Sequence, residues 1–282
     1  MMRFSLALLA SLSLSAAGLP RRIVSLSPNL TEILYGVGAF GRVVGVSDYC
    51  TWPPAVRSLP SVGGWQNPNL ERLAALRPDL VVLDSAQAPF IQDNLKALGM
   101  PVLVVADDSV EDVFQAIETL GHATGCEPQA RRLADSTRAA LTRVSQSTAG
   151  LAKPRVVLIV DRSPGSLRGL VASSAESFLG QLAAIAGARI VAPPFHGAYG
   201  YINKEDLLAL DPDAILDFVH ERTGHVLSPA NQLSPWQELP ELRAVRAGRV
   251  YPINEDYVPH ASERMVRTAE LFRRLIHERK TP

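Results

Sequence analysis

Apolar residues along the chain fall into short continuous runs, separated by stretches with helical spacing. Ile23–Leu26, Val43–Val46, Leu80–Leu83 and Val102–Val105 are almost wholly apolar, the pattern of parallel strands covered on both faces. Leu30–Gly36, Asn69–Leu76 and Ile91–Leu98 alternate with them and read as helices. The alternation then recurs. Strands are predicted at Val156–Val160, Ile190–Ala192, Ala214–Phe218 and Val250–Ile253, and helices at Ser177–Ala186, Lys204–Leu210 and Ser262–His277. Between the two sets lies a longer helical pattern. Ala130, Leu133, Ala134, Thr137, Leu141 and Val144 share one face, Pro128 suits a first turn, and Gly150 and Pro154 close the far end. About 22 residues at 1.5 Å each make a rod of roughly 33 Å. Such a rod restricts the opening of the lobes it joins more than a flexible linker would. The predicted fold class is therefore α/β: two α/β lobes joined by one long helix, with a ligand cleft between the lobes. The N-terminal lobe is expected over 22–126, the connecting helix over 127–150 and the C-terminal lobe over 154–282.

An internal repeat supports two related lobes. Asn69-Leu70-Glu71-Arg72-Leu73-Ala74-Ala75-Leu76-Arg77-Pro78-Asp79 is echoed without a gap by Asn203-Lys204-Glu205-Asp206-Leu207-Leu208-Ala209-Leu210-Asp211-Pro212-Asp213. In each copy Asn suits an N-cap, Glu the positive end of the helix dipole, and Pro a stop before the next strand. Helix-to-strand grammar alone can converge on such a pattern; its presence on both sides of the long helix favours duplication.

The first residues carry a different signal. Met1–Arg3 supplies a positive charge, Phe4–Leu14 is a short apolar run, and Ser15-Ala16-Ala17-Gly18 offers small residues for cleavage. That is the plan of a secretory signal peptide over 1–18, and the apolar run is shorter than the ~20 residues a membrane span needs. The mature protein is expected in a periplasm. The 28 Lys and Arg balance 28 Asp and Glu, which argues against nucleic acid as a partner. Two cysteines exclude a disulfide scaffold and a four-Cys zinc site; whether Cys50 and Cys126 pair is not readable from their positions.

No nucleophile elbow, zinc-protease helix or phosphate-binding loop is present. No catalytic residue and no metal site is assigned, and the six histidines include no pair at i,i+4. Ligands of α/β proteins sit beyond the carboxyl ends of strands. Aromatics are only 6% of the chain, yet four such loops each hold at least one. These are Ser47–Pro54 with Tyr49 and Trp52, Gly63–Pro68 with Trp65, Phe195–Tyr201 with Tyr199, and Asn254–His260 with Tyr257. Trp52, before two prolines, reads as a loop anchor. Trp65 and Tyr199, flanked by glycines, read equally as ligand contacts, the glycines letting a flat ligand approach. An extracytoplasmic enzyme using Asp256 and His260 as an acid–base pair is the alternative from another class.

With these residues in view, the chain resembles the periplasmic substrate-binding proteins of the long-helix, two-lobed class, which serve ABC importers of cobalamin, haem and iron siderophores. Ser25-Leu26-Ser27-Pro28-Asn29-Leu30-Thr31-Glu32 resembles the family's first strand, loop and helix, and Gly45–Tyr49 with Pro53-Pro54 its second. Trp65-Gln66-Asn67-Pro68-Asn69-Leu70-Glu71 is similar to its third loop, and Leu242–Tyr251 to its late helix-to-strand segment. Within the family the likeness is greatest to cobalamin-binding members, through Tyr49, Trp65, Tyr199 and Asp256. Two positions depart from that pattern. His260 stands where Arg is expected, and Val160-Asp161-Arg162 stands where an aromatic is expected. The resemblance implies a monomeric carrier, not an enzyme, with no cofactor of its own. It captures cobalamin or a related corrinoid through Tyr49, Trp65, Tyr199, Asp256, Tyr257 and His260. It delivers its cargo to a permease dimer through Glu71 and Glu205, one per lobe. Haem, held by Tyr257, His260 or Tyr49 on iron, or an iron siderophore, is the alternative cargo.

Overall fold

The computed structural model describes residues 18–218 and 229–278. The signal-peptide reading, Gly18 apart, and His220 and His225 lie outside the described residues. The first half alternates strands and helices: β1 (Ile23–Ser25), α1 (Pro28–Gly36), β2 (Val43–Val46), α2 (Leu70–Ala75), β3 (Leu80–Asp84), α3 (Ala88–Ala97), β4 (Val102–Val105) and α4 (Val110–Thr124). Its four strands form a wholly parallel sheet in the order β2-β1-β3-β4. Side chains alternate across it. Ile23 and Val82 face α1 and α4, whereas Val24, Val81 and Leu83 face Leu73 of α2 and Ile91 and Leu95 of α3.

The long helix α5 (Glu127–Ser147) follows. Its 21 residues span about 31 Å. The stripe read from sequence is the buried one: Ala130, Ala134, Thr137, Leu141 and Val144 point inward. The second half then runs β5 (Arg155–Asp161), β6 (Val171–Ser173), α6 (Phe178–Ile185), β7 (Arg189–Ile190), β8 (Tyr199–Tyr201), α7 (Lys204–Leu210), β9 (Ala214–Phe218), α8 (Pro229–Leu233), α9 (Arg243–Arg246), β10 (Val250–Ile253) and α10 (Met265–His277). Its sheet has the order β10-β9-β5-β6-β8, with β7 on the starting end of β5. The β10, β9 and β5 strands are parallel, while β6 and β8 are antiparallel additions.

The repeat is visible in three dimensions. Asn69 and Asn203 cap α2 and α7, accepting from the backbone N–H of Arg72 (2.9 Å) and Asp206 (2.8 Å). After each helix one non-glycine residue takes a positive φ, Arg77 at 44° and Asp211 at 35°. The aspartate after each proline then accepts the N–H that leads into the first strand of its half. Asp79 accepts from Arg22 and Asp213 from Arg155, both at 2.8 Å. Those two arginines in turn donate to the last carbonyls of the helices, Leu76 and Leu210. Matching caps, strained turns and strand entries at matching positions exceed what shared helix grammar requires.

One apolar cluster joins the halves. It runs from the inner face of the first sheet through α1, α4, α5, α6 and α10 to Val156, Leu158, Ala214 and Leu216 of the second. Parting those helices would expose this shared core, so lobe motion is confined to changes that keep the helix layer packed. Cys50 and Cys126 are free thiols at separate places in the structure.

Candidate functional site

The carboxyl ends of strands from both sheets converge on a cleft of about 720 Å³, a size suited to a substantial small molecule. Asn29 after β1, Tyr49 and Thr51 after β2, Trp65, Asp84 at the end of β3, and Asp107 after β4 line one wall. Phe218 at the end of β9, and Asn254, Glu255, Asp256 and His260 after β10, line the other.

Trp65 is held before any ligand arrives. Its indole Nε1 donates to Asp84 Oδ2 at 3.0 Å. Gln87, fully buried, donates to the carbonyls of Trp65 (2.9 Å) and Leu26 (3.0 Å), and its N–H donates to Asp84 Oδ1 (2.8 Å). Phe90 packs obliquely against the indole, with ring centroids 6.0 Å apart. A ring fixed in this way loses little freedom when a ligand covers it.

The walls are tied together beside Tyr49 and at the floor. Thr51 Oγ1 donates to Asp256 Oδ2 at 3.0 Å. Beneath the floor, Glu32 of α1 is completely buried. His260 Nδ1 lies 2.9 Å from its Oε1, Arg264 NH1 donates to the same oxygen at 2.7 Å, and Ser262 Oγ donates to Oε2. A carboxylate from the first half is thus satisfied by three residues of the second. The Arg264 guanidinium also lies 4.9 Å above the Trp52 ring, so Trp52 anchors its loop as its prolines suggested.

Behind the second wall sits a buried ion pair. Arg162 Nε and NH2 donate to both oxygens of Asp217, with neither side chain exposed. Arg162 also donates to the carbonyls of Ser166 (2.9 Å) and Gln232 (2.8 Å), and Trp236 Nε1 donates to Asp217 Oδ2 (2.8 Å). The Gln232 amide pairs in turn with Asn254, a cleft residue. Where the resemblance led to an aromatic, Arg162 is an internal brace for the wall.

The cleft is acidic. Asp84, Asp107, Glu255 and Asp256 line it, and no Lys or Arg does among the described residues. Burial, together with the charges of Asp84 and Asp108, raises the Asp107 carboxyl to about 7 against a hydrogen bond from Asn29. Burial likewise raises Glu263, beside Glu32, to about 7, and its Oε2 has no partner. Both groups bind a proton in the fold at pH values where the unfolded chain has released it. From their contribution, stability falls as pH rises from about 4 to about 7 and levels off above. Thermal unfolding from pH 4 to 8 checks this: Asp107→Asn with Glu263→Gln should show a flatter Tm profile than the parent. An unchanged profile would mean that neither carboxyl holds its proton in the fold.

A family model described as periplasmic binding protein matches residues 23–257. The chain belongs to the periplasmic binding protein family. A vitamin B12-binding protein of Salmonella paratyphi A is 29% identical over 271 residues, 96% of this chain and 95% of that protein. An uncharacterized ABC transporter substrate-binding lipoprotein of Bacillus subtilis is 28% identical, over 89% of this chain and 78% of its own length. A periplasmic heme-binding protein from Pseudomonas aeruginosa has the same fold, with a TM-score of 0.80 at 24% identity over 94% of this chain and 95% of that one.

Within this binding-protein frame the sequence-predicted residues divide. Tyr49, Trp65, Asp256 and His260 meet in the cleft. Tyr199 stands beside it on β8, 45% exposed, where burial of its hydroxyl and the charges of Asp107 and Asp108 raise its pKa. Tyr257 does not line the cleft. Its ring is buried beneath Arg267 (4.4 Å) and beside Arg264 (5.3 Å), facing the groove between α5 and α10. The glycines near the aromatics also have other duties. A Cβ on Gly200 would come within 2.3 Å of the Phe195 ring, and Gly63 needs its φ of 101°. Asp256 and His260 bind Thr51 and Glu32, not each other, and the family is one of binding proteins. Sequence reasoning missed Asp84, Asp107 and Asn254 as cleft residues, although each lies at or just beyond the carboxyl end of a strand. It also missed Glu32, a carboxylate buried on α1 beside Ile33 and Leu34.

Proposed function

We propose that this protein is a periplasmic carrier that captures a corrinoid, cobalamin or a close relative, and delivers it to an inner-membrane ABC importer. The observation that carries the reading is the acidity of the cleft: Asp84, Glu255 and Asp256, together with the Asp107 carboxyl raised to about 7, and no Lys or Arg among the described lining residues. Haem and many ferric siderophores carry carboxylates or other anionic groups. Burying those against four carboxyl groups is costly without a cation to pair them. A corrinoid rim is studded with neutral amides, whose N–H groups donate to carboxylates. Tyr49 and Trp65 supply flat surfaces for the macrocycle. The B12-binding relative supports the same cargo. Direct titration of the mature protein with corrinoids and with haemin tests the reading.

Export rests on residues 1–18, with cleavage near Ala17 or Gly18. The carrier works as a monomer, and the macrocycle is cargo, not cofactor. Glu71 and Glu205 are its contacts with the permease. Both are exposed in the first turns of α2 and α7. Asn69 and Asn203 do the capping, and neither glutamate has a hydrogen bond or ion pair among the described residues. A carboxylate repeated in both halves yet unused by the fold suits charge-assisted bonds to a two-fold symmetric partner. Glu71→Lys with Glu205→Lys should leave corrinoid affinity unchanged and abolish vesicle-reconstituted uptake. Normal uptake by that variant would return both residues to the role of exposed first-turn acids.

A further inference from the structure

We propose that the groove between α5 and α10 is a second ligand site, separate from the cargo cleft, for a small polar phosphomonoester such as a polyol or sugar phosphate. The groove encloses about 500 Å³. Val144 of α5 and Tyr257, both buried, form its floor, and Arg143 of α5 lines one side. Arg267, Glu270, Arg273 and Arg274 of α10 line the other. The chain carries equal numbers of acidic and basic residues, yet these two concave surfaces divide them. Acids line the cleft, whereas here four arginines meet one glutamate.

The arginines of the groove are not spent on the fold. Arg273 pairs with Glu278 at 2.9 Å. Arg143, Arg267 and Arg274 have no side-chain hydrogen bond or ion pair among the described residues, although Arg267 covers the Tyr257 ring. Helix dipoles do not account for them either. A cation is favoured in the last turn of a helix, where Arg274 lies, and disfavoured in the first, where Arg267 lies. Arg143 precedes the last turn of α5, which holds no basic residue. Glu270 is three residues from Arg267 and four from Arg274 on α10, yet it is ion-paired to neither.

This set of groups fits a phosphomonoester. Each guanidinium fork can give two parallel N–H bonds to phosphate oxygens, and forks from two helices approach a tetrahedral dianion from different sides. The Tyr257 hydroxyl, without a hydrogen-bond partner among the described residues, is a further donor. The groove is larger than one phosphate fills, so it has room for an organic part. Ala140 and Val144 are its only aliphatic side chains among the described lining residues, too little for an acyl chain. The Glu270 carboxylate accepts from hydroxyls instead.

Calorimetric titration of the mature protein with glycerol 3-phosphate tests the site without reference to the cargo. Inorganic phosphate and vesicles of phosphatidylglycerol are run alongside. One glycerol 3-phosphate should bind per chain, more tightly than phosphate. Arg143→Gln with Arg274→Gln should weaken it at least tenfold. Arg131→Gln with Arg132→Gln, on α5 outside the groove, should leave it unchanged. All four substituted arginines are exposed, so the apo Tm of both variants should match the parent. No saturable binding would overturn the site, as would equal weakening by the two pairs, the mark of diffuse charge attraction. Phosphate binding as tightly as glycerol 3-phosphate would overturn the organic part of the ligand. Binding confined to the vesicles would overturn the soluble ester in favour of a lipid headgroup.

Discussion

Arg162→Met is expected to lower the unfolding free energy by about 3–5 kcal/mol. Arg162 and Asp217 are both fully buried, so removing the guanidinium strands a carboxylate out of water with the Trp236 indole as its one remaining side-chain donor among the described residues. It also removes the donors to the carbonyls of Ser166 and Gln232. The pair itself need not be worth so much. Desolvation offsets most of the attraction between two buried charges, and replacing both by apolar residues is often near neutral. Arg162→Met with Asp217→Leu should therefore recover a large part of the loss in urea unfolding. If the double variant is as unstable as the sum of the singles, the brace has no coupling and the pair is not acting as a unit. Corrinoid affinity should fall with Arg162→Met as well, because Gln232 and Asn254 link the brace to the cleft wall.

Trp65→Ala should weaken corrinoid binding at least tenfold while leaving the apo protein nearly as stable as the parent. Well-packed aromatic anchors commonly contribute ~2 kcal/mol or more to binding, and each 1.4 kcal/mol is a factor of ten. The indole is only partly buried in the apo protein, so its loss costs the core little. Asp84→Asn should give a smaller loss, since the indole keeps its place in the loop but loses a carboxylate acceptor. Equal losses of apo stability and affinity in Trp65→Ala would make the ring a part of the core.

The architecture was legible because burial on both faces writes parallel strands as unbroken apolar runs. The first four strands, the long helix and the duplicated helix-to-strand units fall where the pattern put them, within a few residues. The antiparallel additions were not legible. β6 is three residues long, and β8 is Tyr-Gly-Tyr, whose glycine reads as loop because it is there to admit Phe195. The helix α4 carried signals that went unused. Ser109 accepts from the Asp112 N–H at its start and Gly125 at φ 64° ends it. In the site, aromatics flagged by composition were found readily, and two of them meet in the cleft. Spacing could not tell that Tyr257 turns toward the arginines of α10, because one residue's shift in a loop reverses a side chain's direction. The carboxylates were harder to see, since Glu32, Asp84 and Asp107 are far apart in the chain and become one acidic surface only when the sheets meet.

The acidity of that surface selects the cargo, and a competition for the apo protein measures it directly. Mature protein is titrated at neutral pH with cyanocobalamin, cobinamide and haemin, following Trp fluorescence and heat. One corrinoid per chain is expected, with quenching that depends on Trp65, and haemin at least tenfold weaker. Tight stoichiometric haemin binding with no measurable corrinoid binding would contradict it.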